Sequence, residues 1–394
     1  MTDKPQFVGK KVTIGELGKT QSGGTPSSKH PEFFNGSIPW IGTTALNGKF
    51  LGKNDAVKLI TEEAVAKSAT KIVPEKSIMV GIRVGVGKVA INAVPMCTSQ
   101  DIVSIVGIDE ASWNKEYISL ALQYKAPLLA AQAQGATIAG ITSKTLKAIE
   151  IPAIPINEQN RVVDILRKLE NQVGFVRKQL CGLDALVKSR FVEMFGDPCD
   201  ANGNKAKVKV ASICELRIGP FGSALHKNDY ISGGHPLINP SHIIGSSIIP
   251  DADLTVSDDK YKSLEAYHLL PGDIVLGRRG EIGRCAVVQD KGFLCGTGSM
   301  VLRPRAGVRS EYLQRVVSFP SFRQALERNA VGVTMKNLNA KIVGAADMCL
   351  PSINQQDDFI SFTKQVDKSR FVAQQQIEKL QMLYDSLAQE YFGD

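Results

Sequence analysis

Paired cysteines, metal-spaced histidines and long apolar runs are all missing from this chain of 394 residues. Its seven cysteines (Cys97, Cys181, Cys199, Cys214, Cys285, Cys295, Cys349) are dispersed and never stand two residues apart. An odd, scattered set in a chain this long reads as reduced thiols of a cytosolic protein, and excludes a zinc knuckle or a disulfide framework. The five histidines (His30, His226, His235, His242, His268) show no metal-like spacing, and four of them fall in the second half. No stretch approaches the ~18 apolar residues of a membrane span, and Met1-Thr2-Asp3-Lys4 opens no apolar signal region. The expectation is a cytoplasmic protein with no membrane partner and no metal site.

What is present is ordinary in composition and unusual in order. Hydrophobic residues at 43% and charged residues at 22% suit a soluble globular chain long enough for two or three domains. Forty-seven Lys and Arg against 39 Asp and Glu leave +8, which favours an anionic partner. Most of the chain occurs twice, at an offset of 196 to 198. Val12-Thr13-Ile14 matches Val208-Lys209-Val210, and Gly36–Ile41 matches Gly233–Ile238. Ile78–Arg83 followed by Gly87-Lys88 matches Ile274–Arg279 followed by Gly283-Arg284. Pro155–Asp197 matches Pro351–Asp394.

That last pair is strongly periodic. In the first copy Val162, Leu166, Leu169, Val173, Val176, Leu180, Leu183, Val187, Phe191 and Met194 advance mostly by alternating fours and threes. This is the narrow seam of a coiled coil. The second copy repeats it at Phe359, Val366, Ala373, Ile377, Leu380, Tyr384 and Tyr391, with Thr363, Arg370 and Ala388 as weaker steps. So narrow a seam needs a partner helix, and the nearest is its own repeat. The helix-pairing residues are expected to be Leu169, Val173, Val176, Leu180 and Leu183 against Val366, Ala373, Ile377, Leu380 and Tyr384. Each helix is expected to start after a proline with an Asn cap, Asn157 and Asn354. Gly174 and Gly182 inside the first helix either permit close helix approach or are simply tolerated, at roughly 1 kcal/mol each relative to alanine.

Each globular part reads as α+β. Short β-rich runs (77–83, 88–94 and 102–108; then 274–276, 285–288 and 300–303) precede one helix per half, 115–134 and 310–328. Boundaries fall at 1–154, a helix over 155–197, a polar linker and second globular part over 198–350, and a C-terminal helix over 351–394.

Candidate chemistry is sparse. Gly85-Val86-Gly87-Lys88-Val89-Ala90 loosely resembles a nucleotide loop, but Val89 stands where a Ser or Thr must reach magnesium. Its repeat, Glu281-Ile282-Gly283-Arg284-Cys285, keeps one glycine and one basic residue, so a strand-connecting turn is the better reading. Asn239-Pro240-Ser241-His242 reads as a loop, with Gly42 and Thr43 at the equivalent first-half positions. No nucleophile–base or paired-carboxylate pattern appears, so no catalytic residue is assigned. Basic turns remain: Arg278, Arg279 and Arg284, with Arg303, Arg305 and Lys336 nearby in sequence, and Arg83 and Lys88 in the first half. Such residues suit contacts to phosphates and to guanine. Arg278, opposite Ile82, is the unshared one and the better candidate for reading sequence.

Two globular domains, each followed by a long helix opening near Pro-x-x-Glu-Gln and closing Phe-Gly-Asp, resemble the specificity (S) subunit of type I restriction-modification systems. Gly23-Gly24-Thr25-Pro26 followed by Ile38-Pro39-Trp40-Ile41 is similar to the opening of that family's target-recognition domain, and Gly219-Pro220-Phe221-Gly222-Ser223 to another such opening. Gln355-Gln356 departs from the usual Glu-Gln. The resemblance implies two tandemly duplicated α/β target-recognition domains whose helices pair as an antiparallel coiled coil with pseudo-twofold symmetry and act as a ruler. It implies a non-catalytic subunit that reads a bipartite, asymmetric site in double-stranded DNA, with Thr25 and Ser223 added to the candidate contacts Arg83, Lys88, Arg278, Arg279, Arg284 and Lys336. The implied partners are two methyltransferase (M) subunits carrying S-adenosylmethionine and restriction/translocase (R) subunits using ATP and magnesium; no cofactor is expected on this chain. The competing reading is a free-standing two-domain DNA-binding regulator.

Overall fold

The computed structural model describes residues 7, 9–134, 139–199, 207–220, 224–332 and 336–393. Candidate contact Ser223 and most of the polar linker lie outside them. The chain forms two compact units, 1–178 with 374–394 and 179–373, so each long helix contributes to both.

In the first unit a five-stranded sheet has the order Lys19–Ser22, Ile102–Val106, Ile78–Gly81, Val89–Asn92, Phe50–Leu51. Its first four strands pair antiparallel and Phe50–Leu51 joins in parallel. A four-stranded sheet has the order Lys58–Ile60, Ile38–Ile41, Met96–Thr98, Ile72–Val73, with Ile38–Ile41 and Met96–Thr98 parallel. The second unit repeats the scheme. Cys214–Ile218, Ser299–Pro304, Ile274–Gly277 and Cys285–Val287 form one sheet. Tyr230–Ile231, Thr255–Val256, His235–Ile238 and Leu294–Cys295 form the other, whose last two strands are again parallel. Central strands such as Ile78–Gly81 and Ile274–Gly277 are buried along their whole length, which is why they read as continuous apolar runs.

Each single helix expected from the sequence is two helices. Lys115–Tyr124 hands over to Ala126–Ala131, and Ser310–Ser318 to Pro320–Asn329. Pro127 and Pro320 each sit in the first turn of the second piece, where a missing N–H costs nothing but the preceding helix cannot continue. Phe319, just before its proline, is extended at φ −64° and ψ 136°.

The long helices span Ile156–Phe195 and Ile353–Phe392, 40 residues each, or ~60 Å. Within the second unit Asp184 pairs with Arg370 while Phe191 and Phe195 pack on Phe359, so the helix segments run antiparallel. In the first unit Tyr384 Oη donates to Glu170 Oε1 at 3.2 Å, and Val162, Val163 and Leu166 share a core with Ala388 and Phe392. Leu169, Val173, Val176, Val366, Ala373 and Ile377 are buried, and Leu180, Leu183, Leu380 and Tyr384 are half-buried. The polar step Thr363 is 4% exposed and turns its hydroxyl onto Ile360 O, which lets it stay in the seam. A Cβ on Gly174 or Gly182 would meet nothing, so neither glycine serves close approach.

The helix starts differ from expectation. Pro155 and Ser352 carbonyls accept the first helical bonds, from Gln159 N and Gln356 N, which puts Asn157 and Asn354 inside the first turn. Ser352 is the cap: its hydroxyl accepts from Gln355 N, and Gln355 Oε1 accepts from Ser352 N. This is a capping box, in which glutamine does what glutamate would do.

The next residue is the true anchor. Gln159 and Gln356 are both 0% exposed. Gln159 accepts from Asn114 N at 2.8 Å and donates to Ser112 O and Ile154 O. Gln356 accepts from Arg309 N at 2.8 Å and donates to Gly307 O and Pro351 O. One glutamine thus ties each long helix to the start of the shorter helix of its own globular part. At the other end the Phe of Phe-Gly-Asp enters a core. Phe392 packs on Tyr117 at 5.3 Å in the first unit, and Phe195 on Tyr312 at 5.2 Å in the second. Each tyrosine hydroxyl is satisfied by a strand carbonyl, Pro152 O or Cys349 O.

Candidate nucleic-acid interface

In each unit several loops converge at one end of the sheets, held by three backbone bonds common to both and, in the first unit, by a fourth from Gly24, whose counterpart Pro220 has no N–H. In the first, Gly23 N donates to Ile102 O, Gly24 N to Thr98 O, Ile82 N to Asp101 O, and Ser99 N to Ile41 O. In the second, Gly219 N donates to Ser299 O, Arg278 N to Gly298 O, and Gly296 N to Ile238 O. The basic turn closes identically in both: Gly81 N to Lys88 O with Gly87 N to Gly81 O, and Gly277 N to Arg284 O with Gly283 N to Gly277 O. Gly87 and Gly283 have φ of +81° and +83°, a left-handed conformation that favours glycine. The Gly85–Lys88 stretch joins antiparallel strands and opens no helix, so it lacks the helix N-terminus that a phosphate loop needs.

Side chains on this frame differ in reach. Arg83 and Lys88 are exposed, with Arg83 Nη1 at 3.8 Å from Asp101 Oδ1. Thr25 is exposed on the adjoining loop. In the second unit Arg279 is exposed and its backbone bridges to Asn337, which brings exposed Lys336 alongside. Arg284 is half-buried, paired with Glu281 and donating from Nη1 to Pro240 O at 3.4 Å. Arg303 and Arg305 stand at the far end of the strand Ser299–Pro304, away from the turn. Arg303 makes a two-pronged pair with Asp273, both bonds at 2.7 Å, and Arg305 donates to Ser212 O.

Arg278 departs from expectation: it is 5% exposed, against its exposed neighbour Arg279. It occupies the place of Ile82, itself 9% exposed, and its Nε is buried with no partner among the described residues. Burial first, and then the positive charge of Arg279, pull its pKa below the ordinary guanidinium range. The Arg278 side chain is enclosed by the fold, whereas that of Arg279 is open to solvent.

The Asn239–His242 loop, which reads as an ordinary loop in sequence, belongs to this cluster. Gly298 N donates to Asn239 Oδ1 at 3.3 Å, and Arg284 lies against Pro240. The available signal was its position directly after His235–Ile238, the counterpart of Ile38–Ile41. Among the described residues no three His, Cys, Asp or Glu side chains are placed to hold a metal, and no helix is long and apolar enough to cross a membrane.

The family model for the type I restriction modification DNA specificity domain matches this chain twice, over residues 9–181 and 202–382. The chain is 35% identical over 173 residues to the EcoR124I/EcoR124II specificity subunit of Escherichia coli, covering 43% of this chain and 42% of that relative. It is 28% identical over 185 residues to the MjaIX specificity subunit of Methanocaldococcus jannaschii, covering 47% and 43%. These alignments span less than half the length of those two relatives. A solved structure of the type I restriction-modification S subunit from M. genitalium superposes with a TM-score of 0.55 at 15% identity, covering 98% and 96%. A chain from a structure concerned with complex assembly and conformational transition of the type I R-M system superposes with 0.63 at 15% identity, covering 97% of each. At such identity the likeness speaks for the fold. With both of its halves matched by the one model, the chain belongs to the type I restriction-modification DNA specificity family.

Proposed function

We propose that this chain is the sequence-reading subunit of a type I restriction-modification complex. Each unit reads one half of a bipartite, asymmetric site in double-stranded DNA, and the chain performs no catalysis. Two methyltransferase subunits dock on it and bring S-adenosylmethionine; restriction/translocase subunits bring ATP and magnesium. The observation that carries this reading is the loop cluster that recurs with the same backbone bonding but different side chains. Basic residues persist at Arg83/Arg279 and Lys88/Arg284, as phosphate contacts common to both halves require, while the surrounding positions differ, as two different half-sites require. The paired helices, of equal length, set the number of unread base pairs between the half-sites.

The test is to map N6-methyladenine in DNA from cells expressing the chain with its methyltransferase subunits. A split motif with unlike halves and a fixed gap is expected. A continuous motif, or one with identical halves, would contradict the proposal.

A further inference from the structure

At one point of the loop cluster the two units present a polar side chain from opposite strands. The bond from Ser99 N to Ile41 O in the first unit and that from Gly296 N to Ile238 O in the second, both 2.9 Å, mark the same place. In the first unit the residue after Ile41 is Gly42, where a Cβ would meet nothing, and the polar residue is Ser99, 6% exposed with a hydroxyl that has no partner among the described residues. In the second the glycine is Gly296 and the polar residue is Asn239. A Cβ on Gly296 would collide with Asn239 Oδ1 and Cγ, so the carboxamide fills the space that a side chain at 296 would need. The exchange of small for polar is reciprocal, and it replaces a hydroxyl with a carboxamide.

The carboxamide is held in place. Its Oδ1 accepts from Gly298 N at 3.3 Å, while its backbone N–H points to His242 Nδ1 and its carbonyl accepts from His242 N. Any Cβ on Gly277 or Gly298 would come within 3.2 Å of the Pro240 ring, so both glycines keep the loop close to the sheet. Asn239 is half-exposed, and its Nδ2 donates no hydrogen bond among the described residues. Arg284, donating to Pro240 O, places the basic turn beside it.

We propose that Asn239 reads an adenine in the half-site of the second unit, an assignment that rests on the DNA-reading function proposed above. Nδ2 donates to adenine N7, and the second lone pair of Oδ1 accepts from the N6 amino group. A base edge is favoured over phosphate because the neighbouring basic positions are common to both units whereas this one changes its chemistry.

The full-length chain, assembled with its methyltransferase subunits, is used to select sites from randomised duplexes and compared with Asn239→Ala, Asn239→Asp and Arg284→Ala. The wild-type site is expected to hold an adenine that Asn239→Ala no longer prefers, with discrimination reduced about tenfold to a hundredfold at that base pair alone. Asn239→Asp keeps the volume and the bond from Gly298 but removes the donor, so it should turn the preference toward cytosine, whose N4 amino group donates. Arg284→Ala should weaken all sequences together. Selection of the wild-type site by both Asn239 variants would overturn the assignment, as would even loss across all sequences with an unchanged thermal midpoint. If the wild-type complex selects no sequence, the DNA-reading function itself fails, a distinct result that removes the basis of the assignment.

Discussion

At the residue scale, two buried glutamines fix where the long helices leave their globular parts. Gln159 satisfies one N–H and two carbonyls where the first long helix leaves its globular part. Removing it strands those groups, at roughly 1–3 kcal/mol for each one that water cannot reach. Trp40 and Trp113, the two tryptophans of the chain, both lie in the first unit, so their fluorescence follows that unit alone. Gln159→Leu should lower its urea midpoint, and Gln159→Glu, whose buried carboxylate would face the Ser112 and Ile154 carbonyls without a counter-charge, should lower it at least as far. Equal midpoints for all three would show that the glutamine is incidental. The residue pattern was legible as a recurring Gln; its role was not, because its partners are backbone atoms, two of them more than 40 residues away in sequence. The burial of Arg278 was hidden for a related reason. A charge suggests exposure, yet the repeat aligned it with apolar Ile82, and that alignment carried the truer signal.

At the element scale the sequence spoke most clearly where a period ran longest. Both long helices fall where the alternating fours and threes put them, because a seam of that length suits no other structure. Both caps lie two residues before the expected Asn, since proline followed by Asn is a weaker indicator than the Ser352–Gln355 box. Each shorter helix is broken in two near Pro127 or Pro320, a break that the helix-favouring composition on either side conceals. Gly174 and Gly182 give a test of the helix surface. Because a Cβ at either would touch nothing, Gly174→Ala and Gly182→Ala should each stabilise the helix by up to about 1 kcal/mol. A rise in thermal midpoint for both is expected, and a fall would mean that a neighbour needs the space.

At the scale of the whole molecule, duplication followed by divergence accounts for the pattern. The anchors are kept in both halves: Gln159 and Gln356, Tyr117 and Tyr312, Phe195 and Phe392. The loop cluster keeps its backbone bonds and its basic turn while its other side chains change, from Gly42 and Ser99 in one unit to Asn239 and Gly296 in the other. Such a molecule should read two unlike half-sites independently. The direct measurement replaces residues 208–350 with the corresponding region of a relative and maps the methylated motif again. Only one half of the motif should change, with the other half and the gap retained; a change in both halves, or in neither, would contradict independent reading by the two units.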